Sequence, residues 1–133
     1  MLDAAQESGM PIGAKVWAIA EGYIPRDNFA ERDRRFVSHE TACLLNCGDA
    51  DAEVRLTLYF SDREPVGPYR FKLPARRTLH LRFNDLNDPH PVPRETDFAS
   101  VIESDQPIVV QHTRLDSRRE ALALLSTLAY AGS

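Results

Sequence analysis

Two residues able to do chemistry, His112 and Arg114, lie near the end of the apolar run PIVVQHTRL, residues 107–115. Alternate side chains of a strand point to the same side, so His112 and Arg114 share a face with Ile108 and Val110. They therefore extend an apolar face and not a polar one. A guanidinium at the rim of a core or in a subunit interface needs a carboxylate partner, because an unpaired buried charge is costly.

Three acidic residues at other predicted strand ends are candidate partners for Arg114, namely Glu21, Glu40 and Asp62. One interpretation gathers charged and aromatic side chains at one end of the fold, where they hold a small polar ligand. These ligand-binding candidates are Trp17, Glu21, Tyr23, His39, Arg63, Tyr69, His112 and Arg114. In the alternative interpretation the charges hold strands or subunits together, as networks of paired charges often do. The sequence leaves both interpretations open.

A second group of chemically capable residues is cationic. The alternation in EVRLTLYF (53–60), YRFKL (69–73) and RRTLHLRF (76–83) puts apolar side chains on one face and polar ones on the other. If these strands are neighbours, the polar face is basic and suits phosphate, nucleic acid or an acidic partner. Its members are Arg55, Arg70, Lys72, Arg76, His80 and Arg82. The alternative is an ordinary solvated sheet face.

The sequence carries no recognisable catalytic or metal-binding motif. Its four histidines are scattered, whereas a zinc site needs three or four convergent ligands. The Gly-x-Ser-x-Gly elbow of hydrolases is missing, and NDLNDP (84–89) lacks the glycine and the terminal glutamate of a calcium loop. The sequence therefore predicts a protein that is not an enzyme and that uses no metal or cofactor.

The elements that must position these groups are short strands separated by turn residues. Seven or eight such strands predict an all-β fold, a single antiparallel β-sandwich of jelly-roll type. FASVIES (98–104) and PIVVQHTRL (107–115) are predicted to flank a hairpin at Asp105-Gln106. REALALLSTLAY (119–130) is ambiguous, because its composition favours a helix and its periodicity also fits a strand.

Length and composition set the domain organisation. A chain of 133 residues, 43% hydrophobic and 27% charged, suits one globular domain. Residues 1–13 are predicted to form a flexible N-terminal arm and residues 14–133 the β-sandwich domain. No apolar stretch is long enough for membrane insertion, and the N-terminus lacks the pattern of a secretory signal, so we expect a cytoplasmic protein. Its net charge of −4 argues weakly against a general nucleic-acid coat.

Long blocks of the sequence resemble the soluble sensory rhodopsin transducer family. They include VWAIAEGYIP, FVSHET, the run LNCGDADAEVRLTLYF with its continuation to NDLNDP, and TDFASVIESDQPIVVQHTRLDS with its continuation to LAYA. The resemblance runs from about Val16 to Ala131. It implies a jelly-roll β-sandwich assembled as a homotetramer, and a strand for Ala121–Tyr130. It also implies a cytoplasmic partner of a microbial rhodopsin that passes on a light signal.

Family members are also thought to bind DNA, and the fold is similar to carbohydrate-binding sandwiches. The cytoplasmic side of a rhodopsin tends to be positive, so an acidic protein can dock there through acidic loop residues, namely Asp85, Asp88, Glu95 and Asp97. The combined prediction is a non-enzymatic signalling module that works through a partner protein or DNA. The alternative is a sandwich that binds a small, carbohydrate-like ligand and is unrelated to light sensing.

Overall fold

The computed structural model describes residues 11–26, 37–116 and 123–132. Within these ranges the chain forms strands and one 3-10 turn at Phe83–Asp85, with no α-helix. The eight strands are β1 (Ala14–Ile19), β2 (His39–Asn46), β3 (Ala52–Phe60), β4 (Val66–Leu73), β5 (Arg77–Arg82), β6 (Phe98–Asp116), β7 (Ala123–Leu128) and β8 (Tyr130–Ala131). The flexible arm at residues 1–13 stays a prediction, since residues 1–10 lie outside this description.

All strand pairs are antiparallel and belong to one sheet that folds into two layers. One layer has the order β4-β3-β6-β1-β8, and the other has the order β5-β2-β6-β7. The two share β6: its N-terminal part pairs with β1 and β3, and its C-terminal part with β2 and β7. The predicted all-β, antiparallel sandwich with seven or eight strands is confirmed.

The hairpin predicted at Asp105-Gln106 is wrong, because β6 runs through it as one strand of 19 residues. The polar residues satisfy backbone groups where the strand passes from one layer to the other. The carboxylate of Asp105 accepts the backbone N–H of Glu53 at 2.9 Å, and the hydroxyl of Ser104 accepts that of Gln106 at 3.2 Å. These residues therefore mark a change of layer and not a reversal of the chain.

The core lies between the layers and follows the predicted alternation. Val54, Leu56 and Leu58 of β3 are buried, and they meet Leu44 of β2 and Val110 of β6 in one apolar cluster. Burying side chains of this size removes apolar surface from water, which is the main favourable term in folding. The two layers are therefore held together by the period-two pattern that the sequence displays.

The C-terminal segment forms the strands β7 and β8, as the family resemblance implies and against its helix-favouring composition. Among the described residues β7 pairs with β6 alone, so it is an edge strand. Its leucines stay exposed: Leu124 is 72% and Leu128 is 74% accessible, and Tyr130 of β8 is 75% accessible. This edge is therefore apolar, and none of the described strands covers it. None of the described helical segments is both long and apolar enough to cross a membrane.

Candidate functional site

A buried carboxylate, Glu40 of β2, is the centre of the most distinctive polar group in the fold. Its side chain is fully buried, and both of its oxygens are engaged. Oε2 contacts Nε2 of His112, and Oε1 accepts a hydrogen bond from Nε of Arg114. The backbone N–H of Tyr23 also donates to Oε1, at 3.3 Å. Since an isolated buried charge is costly, these partners are what make the position tolerable.

Strand register brings these side chains together. The pairing of β2 with β6 sets Glu40 opposite Arg114 and Ala42 opposite His112. Period-two alternation then points the side chains of Glu40, His112 and Arg114 toward the inside of the sandwich. A fourth member, Glu21, follows the end of β1, and its Oε1 accepts a hydrogen bond from Nη1 of Arg114 at 3.0 Å. The prediction that Arg114 needs a carboxylate partner is confirmed, with Glu40 and Glu21 as the partners.

The charge state of Arg114 follows from its surroundings. Burial opposes the charged form, but the hydrogen bonds and charges of Glu40 and Glu21 outweigh it and raise the pKa of Arg114 above its ordinary value. The guanidinium therefore remains charged at any physiological pH. One of its nitrogens, Nη2, is buried and has no hydrogen-bond partner, which leaves a donor of this network unused.

A cavity of about 430 Å³ lies beside this network, between β1, β6 and β7. Glu21, His112 and Arg114 supply its charged or titratable groups, and aliphatic side chains of β1 and β7 supply most of the remaining wall. The apolar side is formed by Ala18, Ile19, Ala20, Leu125 and Leu128, with Thr127 and Tyr130 beside them. A small apolar chamber with a few convergent polar groups is typical of a ligand site.

The structure does not gather all eight ligand-binding candidates around this cavity. Trp17 is a core residue, and its indole N–H donates to the carbonyl oxygens of Ala14 at 3.0 Å and Ile108 at 2.9 Å. Tyr69 is buried too: burial raises the pKa of its hydroxyl, which donates to the carbonyl oxygen of His90 at 2.6 Å. Both aromatic residues serve packing and backbone satisfaction.

The remaining candidates lie at other places. Tyr23 is half-buried and joins the network through its backbone N–H. Arg63 lies in the exposed loop after β3, where it binds Asp62 at 2.9 Å and covers the ring of Phe60. Its hydrogen bonds hold the pKa of Asp62 below the ordinary value. His39 lines a separate depression on the outer side of β2. Only Glu21, His112 and Arg114 of the eight line the cavity.

The single basic face predicted for the sheet is wrong, because its members belong to different layers. Arg55, Arg70 and Lys72 lie on β3 and β4, whereas His80 and Arg82 lie on β5, which pairs with β2 and not with β4.

The sixth member, Arg76, lies in the turn between β4 and β5 with a positive φ of 57°. It binds Asp49 at 2.6 Å, and Arg55 and Lys72 face Glu103 at 3.5 Å and Glu53 at 4.0 Å. Nearby acids therefore offset the positive potential of these three residues.

A second depression, of about 400 Å³, lies on the outer side of the layer that contains β2 and β5. Its lining residues are His39, Thr41, Cys43, His80, Arg82 and Thr113. In the part of the chain that the structure describes, no three metal-ligating side chains converge well enough to hold a metal ion. Cys43 and Cys47 are free thiols.

Sequence reasoning named Glu40 as a partner of Arg114 but left it out of the ligand-binding set, and it missed Leu125, Leu128 and Tyr130 as cavity walls. A signal for Glu40 was present, because the alternation of HETACLLN puts it on the same face as Ala42 and Leu44. A charged residue on an apolar face of a strand needs a buried partner. For the cavity walls no local signal exists, because their position depends on how β7 pairs with β6.

The fold and this site define a small antiparallel β-sandwich with a buried acid–histidine–arginine network at one end. The sequence model of the Anabaena sensory rhodopsin transducer family matches residues 12–131. The chain belongs to this family.

Two solved structures are similar to the chain. The structure of the Anabaena sensory rhodopsin transducer is 60% identical with a TM-score of 0.67, and the match covers 78% of this chain and 99% of that one. A Thermotoga maritima protein, named 1070, is 32% identical with a TM-score of 0.79, over 90% of this chain and 96% of that one. No curated protein sequence matches the chain.

Proposed function

We propose that this protein is a non-enzymatic, cytoplasmic signalling module that binds the cytoplasmic face of a microbial rhodopsin. One observation carries the proposal: the chain is 60% identical to the Anabaena sensory rhodopsin transducer over 99% of that protein. Identity of this extent supports the same class of partner. The relay then consists of binding and release, because both oxygens of the buried Glu40 are paired and the network is not arranged around a nucleophile.

The acidic loop, which runs from Asp85 at the end of the 3-10 turn to Asp97 before β6, is the surface that we assign to this partner. Asp85, Asp88, Glu95 and Asp97 are all exposed. Cytoplasmic loops of membrane proteins carry an excess of lysine and arginine, so the two charge patterns are complementary. The cationic residues of this protein are a poorer candidate, since they are divided between two layers and several of them face nearby acids.

The acidic loop is also held in a defined shape, which favours recognition over loose attraction. The N–H of Glu95 donates to the carbonyl oxygen of Ile24 at 2.8 Å, and the N–H of Phe98 donates to that of Gly22 at 2.9 Å. Arg94 adds a hydrogen bond from Nη1 to the carbonyl oxygen of Pro25 at 2.9 Å. A surface that is already ordered loses less conformational entropy when it binds.

We further propose that copies of the chain associate through the edge of β7 at Leu124, an exposed leucine that does not line the cavity. Edge strands with exposed leucines are unstable as free surfaces and are normally covered. The homotetramer implied by the family resemblance would cover this edge. Association also presents several acidic loops together, which strengthens attraction to a membrane-embedded partner.

The test is a calorimetric titration of Anabaena sensory rhodopsin in nanodiscs with this protein, in the dark and under illumination, with empty nanodiscs as the control. We expect binding to the loaded discs alone. The double variant D88N/D97N should weaken it by about fivefold, because long-range attraction is lost. The matched variant D62N/E64Q, which removes two exposed charges from another loop, should change it by less than about twofold. Equal binding to empty discs, or no binding in either light state, would contradict the proposal.

A second candidate function, the binding of a small carbohydrate-like ligand, is supported by the cavity of about 430 Å³ beside Arg114. The structure weakens the case for a carbohydrate ligand, because Trp17 and Tyr69 lie in the core and are not available to stack on a sugar. Glucose therefore serves below as a probe for this alternative.

A further inference from the structure

We propose that the cavity between β1, β6 and β7 binds a small monocarboxylate with an apolar body, and that the ligand's carboxylate replaces Glu21 on the guanidinium of Arg114. This proposal is independent of rhodopsin binding. It assigns a chemical class of ligand to a site in which three titratable side chains meet an apolar chamber of about 430 Å³.

The guanidinium of Arg114 has an incompletely used binding edge. Its Nε is committed to the buried Glu40. Its Nη1 donates to Glu21 at 3.0 Å, and its Nη2 has no hydrogen-bond partner. Nη1 and Nη2 form a planar fork that matches the two oxygens of a carboxylate. Glu21 occupies Nη1, and Nη2 is buried, so an incoming carboxylate binds Arg114 by taking over the charge-assisted hydrogen bond of Nη1 from Glu21.

Glu21 is the partner that can be exchanged. Its side chain is 73% exposed, whereas that of Glu40 is fully buried. An exposed ion pair contributes little stability and is easily replaced, but loss of the buried partner would leave an uncompensated charge inside the protein. The exchange keeps two carboxylates on Arg114, so the charge balance of the network is unchanged.

The walls of the cavity select an apolar ligand body. Ile19, Leu125 and Leu128 line the chamber together with Tyr130. Leu125 and Leu128 are 55% and 74% accessible, so a ligand that covers them removes apolar surface from water. A sugar would bring many hydroxyls to walls in which Thr127 is the main uncharged polar residue. A phosphate dianion would add a second negative charge close to Glu40. A monocarboxylate with a hydrocarbon body avoids both penalties.

The test is a calorimetric or NMR titration of the full chain with phenylacetate, with the isosteric neutral phenylacetamide, and with glucose. We expect phenylacetate to bind at least about tenfold more tightly than phenylacetamide, because the amide lacks the charge that the guanidinium recognises. Glucose should not bind. Comparable affinities for the acid and the amide, binding of glucose alone, or no binding by any of the three up to 10 mM would each overturn the proposal.

The decisive variant is E21Q. Removal of the competing carboxylate should tighten phenylacetate binding by about threefold to tenfold and leave phenylacetamide unaffected. The matched control is E64Q, which neutralises an exposed acid in the loop after β3 and should change the affinity for neither phenylacetate nor phenylacetamide. Weaker phenylacetate binding by E21Q would contradict the exchange mechanism. L125W fills the chamber without touching Glu40, so it should abolish binding while circular dichroism shows a retained fold. R114Q alone is not decisive, because it leaves the buried Glu40 without its arginine partner, so that loss of binding would not be distinguished from loss of folding.

Discussion

At the scale of single residues, Glu40 is the side chain on which one end of the sandwich depends. It neutralises Arg114 and contacts His112 inside the fold, so it compensates charge and satisfies hydrogen bonds at once. Glu21 binds the same guanidinium from the solvent side. The two acids therefore bind the same guanidinium, but the buried Glu40 matters far more to folding stability than the exposed Glu21.

This difference predicts unequal costs of substitution. We expect E40Q to lower the free energy of unfolding by about 3 kcal/mol, because Arg114 keeps a buried charge with a weaker partner. E21Q should lower it by less than about 0.5 kcal/mol, because its pair is screened by solvent. Urea denaturation at one fixed protein concentration measures both. If the two variants have equal midpoints, Glu40 does not have the structural role assigned here.

The sequence predicts part of this residue chemistry and not the rest. Period-two alternation is local, so it places His112 and Arg114 on an apolar face without knowledge of the fold. The choice of Glu40 depends on pairing between residues 74 positions apart, which no local pattern specifies. Residue type suggests a ligand for Trp17 and Tyr69, but the polar ends of such side chains serve buried backbone groups equally well.

At the scale of elements, β7 is the strand that least suits a monomer, because it exposes leucines at the edge of a sheet. It is an edge strand, and Leu124 is 72% exposed on it. Leu124 does not line the cavity, so substitution there separates association from ligand binding.

We expect L124K to shift the protein toward the monomer, because a lysine on an edge strand opposes pairing and removes apolar contact. L45K makes the same change at a leucine that is 40% exposed on β2, and it should leave the mass unchanged. Sedimentation velocity at several concentrations measures the outcome. Equal masses for wild type, L124K and L45K would exclude the β7 edge as an interface.

Element boundaries follow from the sequence where the pattern is local, but not where a strand changes layer. β3 follows from its alternation alone. Asp105 and Gln106 are residues typical of turns, but they lie inside β6, because a polar pair can serve the bend of a strand as well as a hairpin. For β7 the composition favoured a helix, and tertiary pairing with β6 overrides that weak preference.

At the scale of the whole molecule, the distribution of charge matters more than the net value of −4. Cations lie on both layers and in a turn, with acids close to several of them, and four exposed acids lie between Asp85 and Asp97. Such a surface does not track a phosphate backbone, so we expect DNA binding to be weak.

The measurement is fluorescence anisotropy with a labelled 20-base-pair duplex over a salt series. We expect a Kd weaker than about 10⁻⁴ M at 150 mM salt, as for non-specific contact, and no further loss in R55A/R70A. Submicromolar binding with a steep salt dependence, reduced in R55A/R70A, would instead support a relay through DNA.

The long strand shared by both layers has a mechanical consequence. Since β6 is hydrogen-bonded to four other strands, neither layer of the sandwich can unfold while the other stays folded. Amide protons along this strand should exchange with solvent only when the entire domain opens, so the particle melts as a single cooperative unit. A destabilising substitution at either end of β6 should therefore lower the stability of every strand that pairs with it.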